Sequence, residues 1–125
     1  MTKLRNILGL VAAAILILSS GAHSVLGWPN LNAQLEATHA PADLILGLKI
    51  GWLFGGLAML VMGIIVAAIF IARLRGERAS AFPALVIGVA YIGVGAWALA
   101  VTKNPFFMIF IVPGVLLLFG ASRKA

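Results

Sequence analysis

Residues 44–72 read LILGLKIGWLFGGLAMLVMGIIVAAIFIA, and Lys49 is the only charged residue among them. The run contains no proline. A helix rises about 1.5 Å per residue, so the run reaches roughly 43 Å, more than the ~30 Å hydrocarbon core of a bilayer. The stretch therefore predicts one long membrane-spanning helix that tilts or protrudes from the bilayer.

Three further apolar runs flank this helix, at about residues 4–25, 82–101 and 106–121. Only residues 102–105 separate the last two, so these helices must form a tight antiparallel hairpin. The pattern predicts an all-α fold: a single transmembrane domain over residues 1–125, built as an integral membrane four-helix bundle with up-down-up-down connectivity.

The first run has a second interpretation. It follows Lys3 and Arg5, and its end, Ser20-Gly21-Ala22, resembles the small-residue cleavage site of a signal peptide. The uncharged stretch nevertheless continues through Gly27, which favours a retained span. We therefore expect four spans.

Composition supports a membrane location. Hydrophobic residues make up 63% of the 125 residues and charged residues 10%, against about 45–50% and about 25% in soluble domains. The net charge of +6 lies at the ends of the apolar runs, which favours membrane topology and anionic headgroups over nucleic acid as its role. The absence of cysteine excludes disulfides, thiolate metal sites and thiol nucleophiles.

The basic residues predict the orientation of the chain. Two of them, Lys49 and Lys103, fall on one side of the predicted bundle, and the positive-inside rule places the richer side in the cytoplasm together with both termini. Three tryptophans, Trp28, Trp52 and Trp97, fall near the outer interface. The richer side holds Lys3, Arg5, Arg73, Arg75, Arg78, Arg123 and Lys124.

An outer loop is predicted at about residues 27–43. Within it, Asn30 can cap a short helix over residues 31–37 that lies in the interface with its leucines towards lipid. Asp43 then marks the start of the second span, because an acid there meets the positive end of the helix dipole.

Small residues recur at a four-residue step in the long span, at Gly47, Gly51 and Gly55 and, after Met59, again at Gly63. Residues four apart share a helix face, so another backbone can approach this one closely. The face either packs against another helix of the same chain, which we expect, or docks a partner or a second copy.

Polar residues gather at the predicted outer end. His23, Glu36, His39 and Asp43 are of the types that bind a divalent metal or serve as an axial ligand, but no HExxH or HxxxH spacing supports such a site. The prediction is ordinary interfacial polar residues, with no metal and no cofactor.

Lys49 lies just beyond Trp52 when a core of about 20 residues is counted back from Ala72. We expect its ammonium group to snorkel to the interface or to pair with Asp43. A buried counter-ion is the alternative.

The middle of the spans contains almost no ionisable or hydroxyl-bearing side chains. No Asp, Glu or His lies there, which argues against a proton-coupled antiporter, and no catalytic constellation is present. Tyr91 carries the hydroxyl in the middle of the third span, and we expect it to bond the backbone of a neighbouring helix. The sequence therefore predicts a protein that is not an enzyme.

The segment Gly21-Ala22-His23-Ser24-Val25-Leu26-Gly27 resembles a G-x-H-S-x-L-G pattern at the end of the first helix in a group of uncharacterised small bacterial four-helix membrane proteins. Residues 48–52, LKIGW, resemble the first part of that group's second pattern, L-[KR]-x-x-W-H. Leu53 stands where that pattern has its histidine. The resemblance implies a bacterial protein in which His23 and Trp52 face one another.

The leading functional hypothesis is an accessory or scaffold subunit of the bacterial inner (cytoplasmic) membrane that acts through helix packing, as a homo-oligomer or within a larger complex. The alternative is a binder or carrier of a small lipophilic molecule at the outer leaflet, and an oligomeric channel ranks lowest. No nucleic-acid partner is expected. The candidate site residues at the outer end are His23, Trp28, His39, Asp43, Lys49, Trp52 and Trp97.

Overall fold

The computed structural model describes residues 2–122 and confirms that the chain is all-helical. Helices account for 88% of it, and no strand occurs within the described range. The elements are α1 (Thr2–Gly21), a π-helical segment (Ala22–Gly27), α2 (Trp28–Ala37), α3 (Ala42–Leu74), α4 (Phe82–Thr102), a 3₁₀ turn (Pro105–Phe107) and α5 (Met108–Ala121).

Three helical segments are long and apolar enough to cross a membrane. They are Thr2–Ala37, Ala42–Leu74 and Phe82–Thr102, and a shorter apolar helix covers Pro105–Ala121. The last three agree with the predicted runs to within two residues at each end.

The predicted loop over residues 27–43 is wrong for most of its length. α1 runs without a break through the π-helical segment into α2, so that residues 2–37 form one continuous helical stretch. The short helix over residues 31–37 is therefore the end of the first helix and not a separate element. Pro29 lies within this stretch, directly after the π-helical segment, so the helix continues past a residue that has no backbone N–H to donate.

Each of the two long helical stretches ends at a residue with a left-handed backbone conformation. At the end of α3, Gly76 has φ 81° and its N–H donates to the Arg73 carbonyl, while the Glu77 N–H donates to the Ala72 carbonyl. This is the Schellman arrangement, in which glycine avoids the steric penalty of a left-handed backbone. His39, with φ 55°, has the same position after α2.

The helices pack antiparallel in the order α3, α1, α5, α4, with α1 and α5 at the centre. Close contacts between glycines and the facing helices fix this order. A Cβ atom at Gly63 would lie 2.7 Å from Ile17 Cγ1, and one at Gly88 would lie 3.0 Å from the Gly114 carbonyl oxygen. Successive long helices therefore alternate in direction along the chain.

Large side chains fill the centre between these close approaches. Leu16, Val66, Phe70 and Leu117 are fully buried. Near the start of α1, the Arg5 guanidinium donates a hydrogen bond to the Ser122 carbonyl at 3.3 Å. The first and last helices are therefore joined where α1 begins and α5 ends.

Two helical stretches are much longer than the other two. At about 1.5 Å per residue, residues 2–37 and α3 measure roughly 54 and 50 Å, whereas α4 measures roughly 32 Å. We call residues 2–37 and α3 the long pair, and α4 and α5 the short pair. We name the two ends of the molecule by the residues that lie there. The basic end holds Arg5, Arg73 and Arg78, and the aromatic end holds Trp52 and Phe106. At the aromatic end, the long pair projects past the short pair.

Candidate functional site

Within the first helical stretch, the segment Ala22–Gly27 is π-helical, and it lies at the level where the short pair ends. Such segments contain one residue more per turn than the α-helix allows, and they occur frequently at functional sites. The segment coincides with the AHSVLG stretch that carried the sequence resemblance. It therefore presents His23 and Ser24 towards α3 at the start of the projecting region.

His23 and Trp52 form a reciprocal pair across the two long helices. Their rings stack with centroids 4.4 Å apart and planes 5° from parallel. The Trp52 indole N–H donates to the His23 carbonyl at 2.7 Å, and His23 Nε2 lies 3.0 Å from the Trp52 carbonyl oxygen. Because a carbonyl only accepts, Nε2 must carry the proton. The resemblance implied that these residues face one another, and they do.

Three glycines give this pair its space. A Cβ atom at Gly27 would lie 3.0 Å from the Trp52 ring, and one at Gly55 would lie 3.4 Å from His23 Nε2. At Gly56 a Cβ atom would overlap the Ser24 hydroxyl. The absence of side chains at these positions allows the π-helical segment and α3 to approach closely enough for the rings to stack.

A cavity of about 570 Å³ opens beside the pair at the aromatic end. Sites for small molecules range from about 300 to 1,000 Å³. The first helix lines one side, from Leu16 through the π-helical segment to Gln34, and α3 contributes Trp52 and Met59. Tyr91 and the first part of α5 close the other side. The cavity therefore lies where all four helices meet, at the base of the projection.

Aromatic rings form a continuous row along the α4–α5 wall. The ring centroids of Tyr91 and Phe110 are 5.8 Å apart, those of Phe110 and Phe107 are 6.3 Å apart, and those of Phe107 and Phe106 are 5.7 Å apart. All four residues line the cavity. Together with the His23–Trp52 stack, they give the cavity aromatic surfaces on two sides.

The Tyr91 hydroxyl is buried and has no hydrogen-bond partner within residues 2–122. The whole side chain is 7% exposed. We predicted a bond from this hydroxyl to the backbone of a neighbouring helix, and that prediction is wrong because no acceptor lies within reach in the described range. A buried polar group without a partner costs about 1–3 kcal/mol, so a conformation in which the Tyr91 hydroxyl reaches an acceptor would be favoured by a similar amount.

The other predicted residues at this end do not join the cavity. Trp28 is buried but does not line it, and Trp97 is 67% exposed on α4. Asp43 and Lys49 are exposed on α3. They are six positions apart, about 120° around the helix, so they do not share a face.

His39 and Asp43 are not on one helix face either. His39 lies in the turn, where its left-handed backbone closes α2, and α3 begins only at Ala42. Among the described residues, no three His, Asp or Glu side chains come close enough together to hold a metal ion.

The predicted glycine face divides into two parts. Gly63 packs against α1, and Gly55 lies beside His23. A Cβ atom at Gly47 or Gly51 would meet nothing within 4 Å. The expectation that the whole face packs within the chain is therefore wrong for these two glycines. Each four-residue step turns about 40° further around the helix, so Gly51 lies about 120° from Gly63 around α3 and does not face α1.

Several site features were missed in the sequence. Gly56 was outside the four-residue series, although it directly follows Gly55. The predicted site residues did not include Phe106, Phe107, Phe110 or Gln34. No residue pattern predicted the π-helical segment, which begins after Gly21 and ends at Gly27.

Comparison with protein families, curated proteins and solved structures gave no match for this chain.

Proposed function

We propose that this chain is a multi-pass membrane protein that binds a small lipophilic molecule in the cavity at the aromatic end, and that it acts by binding and not by catalysis. The cavity itself carries the proposal. It has a volume suited to a small molecule, walls that are mostly apolar and aromatic, and one enclosed hydroxyl that lacks a partner among the described residues.

The distribution of charge supports an orientation with the basic end and both termini in the cytoplasm. Arg5, Arg73 and Arg78 lie together at that end, and basic residues concentrate on the cytoplasmic side of membrane proteins. The cavity then opens at the level of the outer leaflet. A bacterial inner membrane is the location that the resemblance to small bacterial proteins favours.

Filling the cavity tests the proposal. Ser19 lines it from α1 and is only partly buried, so Ser19→Phe should fill space without disturbing the core. Native mass spectrometry of gently extracted full-length protein should show a co-purifying lipophilic species in the unaltered chain and its loss in Ser19→Phe.

Ala14→Phe is the matched control, since Ala14 is an exposed position of the same helix and does not line the cavity. It should retain the bound species. The proposal fails if the unaltered chain carries no such species, or if both variants retain it equally.

A second candidate function is that of an accessory subunit that associates through the projecting part of α3. The observation that favours it is the open space around Gly47 and Gly51. The large apolar side chains beside them are also exposed, with Leu46 57% and Ile50 63% accessible. A helix with small residues and exposed leucines is suited to pack closely against another helix.

Disulfide cross-linking tests this second function, because the chain has no cysteine of its own. A single Leu48→Cys substitution should report a second copy by dimer formation, or a partner by an adduct of larger mass, in native membranes. Adding Gly51→Leu should abolish the product. Gly93→Leu is the control, since Gly93 is equally open but lies on α4, and an unchanged product with Gly51→Leu contradicts the candidate function.

A further inference from the structure

Within residues 2–122, the polar groups that line the cavity include no carboxylate, ammonium or guanidinium group. They are hydroxyls, amides and an imidazole, and no Asp, Glu, Lys or Arg is among the described residues of the wall. A carboxylate or phosphate placed there would lose its hydration without meeting a cation, which is costly. The wall therefore selects against fatty acids and against the headgroups of anionic lipids. The polar lining residues are Ser19, His23, Asn30, Gln34 and Tyr91.

The shape of the walls favours a flat group. The row from Tyr91 to Phe106 lies on one side, and the stacked His23–Trp52 pair lies on the other. Aromatic rings gain about 0.5–1.5 kcal/mol per ring pair beyond the burial of area when they stack or meet edge to face. A flexible acyl chain makes no use of this arrangement, whereas a planar ring does.

The hydrogen-bonding groups favour oxygen substituents on that ring. The Tyr91 hydroxyl has no partner within residues 2–122 but is fully covered by protein atoms, so its side chain must turn towards the cavity before it can donate to a ligand oxygen. The indole N–H of Trp52 is already bonded to the His23 carbonyl, and His23 Nε2 is bonded to the Trp52 carbonyl. The reciprocal pair therefore acts as a rigid wall, and Tyr91 together with the amides of Asn30 and Gln34 is left to meet carbonyl or hydroxyl oxygens.

We infer that the ligand is a neutral lipid with a flat ring that carries oxygen substituents, that is, a quinone or the corresponding quinol. This inference rests on the proposed function, since it names the class of molecule that the same cavity takes. The ring lies between the two aromatic walls with an oxygen on the Tyr91 hydroxyl, and the isoprenoid or alkyl tail leaves the cavity towards lipid. The protein binds the molecule without changing its oxidation state.

Titration of the full-length protein in phosphatidylcholine nanodiscs tests the class. Decylubiquinone is the probe, and its binding is followed by saturable quenching of tryptophan fluorescence, because Trp52 forms part of the wall. Oleic acid serves as the anionic comparison, and monoolein as the neutral lipid without a ring. We expect saturation with decylubiquinone alone, and loss of saturation in Ser19→Phe.

Tyr91→Phe separates a binding role of the hydroxyl from a structural one. Loss of one hydrogen bond should weaken decylubiquinone binding about three- to tenfold. The thermal midpoint of the empty protein should stay the same or rise, since the hydroxyl has no partner to lose within the described residues. Ser122→Ala, which removes a hydroxyl at the basic end, should leave the affinity unchanged.

The outcomes distinguish this inference from the proposed function. If oleic acid or monoolein saturates the cavity as well as the quinone, Ser19→Phe abolishes that binding, and Tyr91→Phe has no effect, the cavity is a binding site but the ligand class is wrong. If no probe saturates, or Ser19→Phe binds like the unaltered chain, both the class and the proposed function are overturned.

Discussion

At the scale of single residues, His23 and Trp52 each provide a hydrogen-bond donor for the backbone carbonyl of the other. The π-helical segment disturbs the regular ladder of helical hydrogen bonds, and the indole N–H of Trp52 satisfies the His23 carbonyl there. The imidazole in turn bonds the Trp52 carbonyl on α3. Each side chain therefore stabilises the backbone of the other helix, and the stacked rings hold the wall of the cavity in place.

Replacing Trp52 with phenylalanine should separate the hydrogen bond from the stacking. The Trp52→Phe variant keeps a ring but leaves the His23 carbonyl without its donor, which we expect to cost about 1–3 kcal/mol in the free energy of unfolding. Thermal unfolding in detergent measures the effect. Trp97→Phe, at a position 67% exposed, should cost less than about 0.5 kcal/mol, and equal midpoints for the two variants would argue against the role of this bond.

At the scale of helices, the surroundings of a glycine matter more than its spacing along the chain. Between α4 and α5, the backbones of Gly88 and Gly114 face one another in close contact. Gly93, only five positions after Gly88 on α4, faces open space. The same contrast exists on α3 between Gly63, which contacts α1, and Gly51, which contacts nothing in the described part of the chain.

Alanine substitutions on α4 should reveal this contrast. A Cβ atom at residue 88 would lie 2.9 Å from Leu117 Cβ and 3.0 Å from the Gly114 carbonyl oxygen, so Gly88→Ala should destabilise the protein by about 1–3 kcal/mol through overpacking. Gly93→Ala should be neutral or slightly stabilising, because alanine is the better helix former. Chemical unfolding of both variants decides the point, and a comparable loss at both positions would count against close packing as the cause.

At the scale of the whole molecule, the two helical pairs differ in length and charge. In the short pair, α5 with its 14 residues measures about 21 Å, whereas α4 at roughly 32 Å matches the thickness of a hydrocarbon core, about 30 Å. The long pair exceeds it by about 20 Å at the aromatic end. In the proposed orientation, α2 and the first part of α3 form a helical projection towards the outer side, and the cavity lies at its base.

Cysteine labelling should report this orientation directly. Ala33 is exposed on the projection, and Glu77 is exposed at the basic end. In spheroplasts, a membrane-impermeant maleimide should modify Ala33→Cys at once and Glu77→Cys only after the membrane is permeabilised. The reverse order would invert the topology, and labelling of both sites in sealed spheroplasts would rule out a membrane between them.

The sequence by itself determined the helices and their order. Apolar runs of sufficient length allow one secondary structure in a bilayer, and breakers such as Gly76 and Pro105 sit where the helices end, so the bounds of α3, α4 and α5 followed closely. The resemblance to small bacterial membrane proteins also implied that His23 and Trp52 face one another. The first helix was placed correctly at its start but ended too early, because the extra residue of the π-helical segment has no distinctive side-chain pattern.

The tertiary structure alone decided which residues form a site. The glycine series predicted one continuous packing face, but only the packed structure shows that Gly63 contacts α1 while Gly47 and Gly51 face away from every described helix. Likewise, whether the Tyr91 hydroxyl finds an acceptor depends on the rotation of four helices about their axes. Helical spacing fixes which residues share a face, whereas the partner of that face is set by packing between elements distant in the chain.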